Sequence, residues 1–131
     1  MLGQLERPGR VVVADFEAGL GTVMRLSGHP VDVVVVVVEP TAKSLEVGRR
    51  AAQTVQEAGL GRVVVTANRV RDEQDAARVR AAFAGLDPLL VPDDAAIVQA
   101  ERDGLAPLDA APGAPAVRAL VAFAESLLPA P

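Results

Sequence analysis

The chain has 131 residues, 50% hydrophobic but only 2% aromatic, with a formal net charge of -4 at pH 7 and no cysteine. That length fits one domain, and its core has to be built from Val, Ala and Leu. The missing cysteines exclude a disulfide framework, a thiolate metal site and a cysteine nucleophile, and the lack of any Lys/Arg cluster excludes the electrostatic footprint of a nucleic-acid binder.

Met1 to Arg10 reads as a polar lead-in ending in a Pro8-Gly9 turn, and residues 11–131 read as a single α/β domain. Val11 to Ala14 is a β-branched run that predicts a first strand. It stops at Asp15-Phe16-Glu17-Ala18-Gly19, where two carboxylates and a glycine follow the valines. Gly19 to Pro30 predicts a connection with a short helix around Thr22 to Leu26. His29 within it has no second His or Cys with which to share a metal, and reads as a surface residue.

Val31 to Val38 predicts the second strand. It shows no polar alternation, so both of its faces are expected to be covered, as in a parallel sheet between helix layers. The same run is too short to span a bilayer, and the N-terminus lacks a signal-peptide core, so the expectation is a cytoplasmic protein. Glu39-Pro40 ends the strand, because proline cannot donate to a ladder. Thr41 predicts an N-cap for a helix over 42–58, with Leu45, Gly48, Ala52 and Val55 on the buried face and Gly59 as its stop.

Arg62 to Ala67 predicts the third strand, ending at Asn68. Asp72 caps a helix over 73–84 with Ala76, Val79, Phe83 and Leu86 inward. A short fourth strand, Pro88 to Val91, precedes Pro92-Asp93-Asp94 and a helix over 95–103. The last helix starts at Pro115 and runs to Leu128, with Val117, Leu120, Val121, Ala124 and Leu128 inward. Strands alternate with helices throughout. This predicts an open, mainly parallel sheet of about four strands with right-handed crossovers and helices on both faces.

Open parallel sheets bind ligands outside the carboxyl ends of their strands. The residues predicted on that rim are Asp15 and Glu17, then Glu39, Pro40 and Thr41, then Asn68 and Arg69, then Pro92, Asp93 and Asp94. A carboxylate such as Asp15 suits a hard Mg²⁺ ion. An Asn offers an acceptor and two donors, which match an adenine edge. Glycines such as Gly19 and Gly21 permit close backbone approach to a phosphate. Loops are polar and caps are Asp, Thr or Asn by preference, so each of these residues has an ordinary structural reading as well. No Gly-x-x-x-x-Gly-Lys-Ser/Thr and no Gly-x-Gly-x-x-Gly occurs anywhere in the chain.

Four stretches resemble the C-terminal half of the deviant-Walker P-loop ATPases, the MinD/ParA/Mrp group, and most nearly its carbon monoxide dehydrogenase maturation (nickel-insertion) branch. They are Val12 to Gly19, Val36 to Leu45, Val64 to Val70, and Val91 to Asp94 with Ala100 to Leu108 behind it. The resemblance implies a partial P-loop NTPase fold, with ATP and Mg²⁺ as cofactors. It makes Asp15 the Mg²⁺-associated carboxylate and Gly19 the switch glycine near the γ-phosphate. It makes Asn68 and Arg69 adenine-side residues, with Pro92 and Asp93 lining the base. It also implies an ATP-dependent homodimer. The family's phosphate loop and its lysines have no counterpart in these 131 residues, and neither has that branch's Cys-x-Cys pair. The chain is therefore expected not to hydrolyse ATP alone, and to depend on a homo-oligomer or on a partner supplying the phosphate loop. The rival expectation is a non-catalytic interaction or dimerisation module on the same scaffold. A phospho-acceptor receiver domain fits less well, since no lysine follows a late strand.

Overall fold

The computed structural model describes residues 8–16 and 31–128. Its sheet has three parallel strands in the order β1-β2-β3, namely β1 (Val33–Val38), β2 (Arg62–Val70) and β3 (Leu89–Pro92). The helices are α1 (Ala42–Ala58), α2 (Glu73–Ala82), α3 (Ala95–Arg102), a single turn α4 (Pro107–Ala110) and α5 (Pro115–Leu127). This is the open parallel α/β architecture expected from the alternation of strand and helix patterns. The predicted strand at Val11 to Ala14 is not part of the sheet. Residues 11–16 carry no strand or helix and are exposed, with Val13 89% accessible. A β-branched run favours extended backbone, but only a partner ladder makes it a strand. The predicted short helix at 22–26, together with Glu17, Gly19, Gly21 and His29, lies outside the described residues.

β1 and β2 pair in strict register, Val33 with Arg62 through Val38 with Ala67. In a parallel pair such partners point to the same face, so Val36, Val38, Val65 and Ala67 form one buried layer. Helices α1 and α2 close over it with Leu45, Ala52, Val79 and Phe83. The spacing that predicted α1's buried face holds throughout, since Leu45, Gly48, Ala52 and Val55 are its buried residues. Gly48 is needed for close approach, because a Cβ there would collide with the Val38 side chain and sit 3.2 Å from the Phe83 ring. Thr41 caps α1 through Ser44 N, and Gly59 at φ 62° ends it in the left-handed conformation that an L side chain disfavours. Asp72 caps α2 the same way, through Asp75 N.

The opposite face is only partly covered. α5 packs against β3 there, with Ala116 and Val117 buried beside Val91. Its predicted inward residues Leu120, Val121, Ala124 and Leu128 remain exposed, since no further described element lies over them. The sheet thus has helices on both faces as expected, but β1, at the other edge, leaves Val35 and Val37 exposed on this face among the described residues. No helix among the described residues is long and apolar enough to cross a membrane.

Candidate functional site

Parallel strands bring their carboxyl ends to one rim, and one residue in β2 decides what that rim looks like. β2 runs past its predicted end at Ala67. Thr66 and Ala67 pair with Leu89 and Leu90, but the next pairing is Val70 with Pro92, so β2 carries one extra residue across Asn68-Arg69. This is a β-bulge, which locally breaks the ladder and re-aims side chains. Arg69 takes up the irregularity at φ 59°, a left-handed conformation that costs a non-glycine residue about 1–2 kcal/mol. The Asn68 side chain supports it by accepting a hydrogen bond from Arg69 N at 3.0 Å.

The bulge swings the Arg69 guanidinium between two carboxylates from neighbouring strand ends. Its Nη1 lies 3.7 Å from Glu39 after β1, and its Nε lies 3.8 Å from Asp93 after β3. These are long, solvent-exposed pairs, so they contribute little stability. Their content is geometric: one cation spans the ends of all three strands. Glu39 is fixed in turn by its backbone N–H, which donates to Ser44 Oγ at 2.9 Å, and Asp93 N donates to Val70 O at 2.9 Å.

Beside this cluster lies an open cavity of about 640 Å³. Its strand-end lining is Asn68, Arg69, Pro92, Asp93 and Asp94. Its helix-side lining is largely apolar and includes Ile97, Val98, Leu108, Val117, Leu120 and Val121. An apolar body with a few polar groups at one end is the usual make-up of a small-ligand site. A smaller cleft of about 370 Å³ lies between α1 and α2, away from the strand ends, among Glu46, Arg49, Arg50 and Gln53.

Asp94 has a structural task that the sequence did not reveal. One carboxylate oxygen caps α3 through Ala96 N at 3.0 Å, and the other accepts from Ala116 N at 3.0 Å, in the first turn of α5. α5 begins at Pro115 and has no side-chain cap of its own, so Asp94 serves two helix N-termini at once. That single side chain sets the distance between the two helices that wall the cavity.

Of the residues singled out in the sequence, the structure brings Asn68, Arg69, Pro92 and Asp93 together at this cavity. Asp15 lies in the exposed segment before the sheet. Gly19 lies outside the described residues. Among the described residues no group of three or more His, Cys, Asp or Glu is placed to hold a metal ion. Glu39 joins the site through Arg69, and the helix-side apolar wall was missed altogether. A signal for the bulge was present: a polar pair, Asn68-Arg69, interrupts an apolar run that resumes at Val70.

Elsewhere on the chain, Asp75 is buried and accepts from Arg71 N at 3.1 Å and from Arg71 Nε at 3.0 Å. The Arg71 hydrogen bond holds the Asp75 carboxyl below the usual carboxylate range and raises the Arg71 guanidinium in return. This pair ties the start of α2 to the end of β2 and stands apart from the cavity lining.

No protein-family model matches the chain. A stretch of 63 residues, 48% of the chain, is 36% identical to an uncharacterized ATP-binding protein of Methanocaldococcus jannaschii. That stretch takes in 24% of the archaeal protein, so the chain spans only about a quarter of the relative it matches.

Proposed function

We propose that the chain is the base-binding, C-terminal portion of a MinD/ParA-like ATP-binding ATPase, of the kind found in nickel-insertion maturation, and that it does not hydrolyse ATP by itself. The observation that carries this reading is the convergence of Asn68, Arg69, Pro92 and Asp93 on one cavity at the carboxyl ends of β2 and β3. The match to a protein described as ATP-binding supports it.

The residues present fit a purine. The Asn68 amide NH₂ remains available as a donor while its oxygen holds the bulge. The Pro92 ring and the apolar helix wall suit the face of a base. They do not fit a triphosphate. The cavity lining has one cation, Arg69, against the carboxylates of Asp93, Asp94 and Glu101, and Arg69 is already shared between Glu39 and Asp93. A field of that sign repels phosphate. On this reading the phosphate-binding groups come from a partner chain or a second copy, and Asp15 serves Mg²⁺ only in such an assembly.

A second reading, a non-catalytic interaction module, is favoured by the exposure of Val98, Leu108, Leu120 and Val121 along the cavity's helix side. Calorimetry separates the two. Adenosine is expected to bind the isolated chain weakly, and ATP with Mg²⁺ no more tightly, because only the base is recognised and the carboxylate-rich lining repels phosphate. Asn68→Ala is expected to weaken both about tenfold, while unfolding free energy falls by about 1 kcal/mol for the lost bulge hydrogen bond. No heat with either ligand sinks the nucleotide reading and leaves the interaction module. Tight, Mg²⁺-dependent ATP binding by the chain alone sinks the missing phosphate site.

A further inference from the structure

β1 is the terminal strand of the sheet, and its outer edge has no partner among the described residues. Natural sheets guard such an edge with lysine, proline, a bulge or an inward charge, and β1 has none of these. It is six consecutive valines in regular register with β2. Val35 and Val37, 39% and 65% accessible, add an apolar strip beside the open ladder. The other terminal strand, β3, has only four residues and ends in Pro92, so it is far less suited to accept a strand.

The charges around β1 say what fits. Asp32 stands immediately before the strand and Glu39 immediately after it. Asp32 is exposed and belongs to no ion pair among the described residues, and Glu39 keeps 47% of its side chain accessible with Arg69 no closer than 3.7 Å. A second copy paired antiparallel about a two-fold axis would set Asp32 of each copy opposite Glu39 of the other, which places like charges at both ends of the ladder. A strand carrying basic residues at its ends meets no such cost.

We propose that the β1 edge is a docking site for an extended apolar segment of a partner protein, flanked by Arg or Lys, which adds to the sheet as a fourth strand. The main-chain ladder supplies affinity. Val35 and Val37 select apolar side chains at alternate positions, and Asp32 and Glu39 select the basic flanks. The inference rests on the sheet edge and not on the nucleotide reading, because β1 takes no part in the cavity lining.

Fluorescence anisotropy with the full chain and a labelled eight-residue peptide, Arg-Val-Thr-Val-Thr-Val-Thr-Arg, whose two Arg are as far apart as Asp32 and Glu39, tests it. Saturable binding is expected that weakens at least tenfold when Glu replaces both Arg flanks, and about tenfold between low and physiological salt. Val37→Lys is expected to abolish most of that binding while leaving the melting temperature unchanged, since Val37 is mostly exposed. Equal affinity for the Glu-flanked peptide overturns the proposal. So does a concentration-dependent dimer of the chain that Val37→Lys dissociates, which would make a second copy the occupant. An increase in peptide affinity on Val12→Asp would show the chain's own exposed Val11 to Val13 segment on the edge, and would overturn it as well.

Discussion

The two faces of the sheet are built from the same few residue types and end up in opposite states. On one face α1 and α2 lie over Val36, Val38, Val65 and Ala67, and Gly48 lets the α1 backbone approach until the Val38 side chain fills the space where a Cβ would be. On the other face α5 is the one helix among the described residues that is seated over a strand, β3, and a cavity of about 640 Å³ stands open beside it. Thr66, on that second face, is buried with its hydroxyl unpaired. The contrast separates stability from binding. Close packing leaves no room for a ligand, while an uncovered apolar wall beside polar strand ends has both the space and the chemistry for one.

The sharpest way to break that comparison is truncation on each side of it. Phe83→Ala removes a ring that is only 3% exposed from the closed face and is expected to cost about 3–5 kcal/mol, whereas Val121→Ala on the open face should cost about 0.5 kcal/mol. Chemical denaturation of the two variants checks this; equal losses would mean that the open face is closed in solution. Asp94→Ala tests what holds the open face in shape. It uncaps α3 and α5 together, with an expected loss of about 2 kcal/mol, and Asp94→Asn should recover only about half of it, because its single amide oxygen can accept for one helix while its NH₂ cannot accept from the other. A loss confined to one cap's worth would show that α5 is positioned by Ala116 and Val117 packing alone.

The effect that shows only in acid belongs to Asp75. Its folded-state pKa is depressed, first by the Arg71 hydrogen bond, so the stability it contributes is present above the ordinary carboxylate range and is lost as pH falls through the lowered value. Melting temperatures are therefore expected to hold steady from pH 7 down to about 4 and to fall below that. Asp75→Asn should flatten this acid limb. An unchanged limb would place the acid sensitivity elsewhere, for example on the open face.

Much of the fold was legible because it depends on local rules. The i, i+3, i+4 spacing of Leu45, Gly48, Ala52 and Val55 marked α1's buried side, and Thr41, Asp72 and Gly59 marked helix ends through their own hydrogen bonding and backbone preferences. The rim position of Asn68, Arg69, Pro92 and Asp93 followed from parallel topology alone. What failed had a common cause. Val11 to Ala14 reads as a strand, yet it lies outside the sheet, because a strand needs a partner and pairing is not written in the strand's own residues. Leu120 and Val121 read as inward, yet they stay exposed, because burial depends on what another element covers.

By itself, then, the sequence determined the parallel α/β class, the limits of α1, α2, α3 and α5 to within a few residues, and the group of polar side chains at the ends of β1, β2 and β3. Those follow from periodicity, capping and the direction of the chain. Only the tertiary structure decided that β2 carries a bulge at Asn68-Arg69, that Arg69 reaches both Glu39 and Asp93, that Asp94 holds α3 and also Ala116 of α5, 22 residues on in the chain, and that β1 presents an edge unguarded among the described residues. Each of these is a relation between segments distant in sequence, fixed by which surfaces meet; a single segment at most marks the place, as the polar pair Asn68-Arg69 does for the bulge.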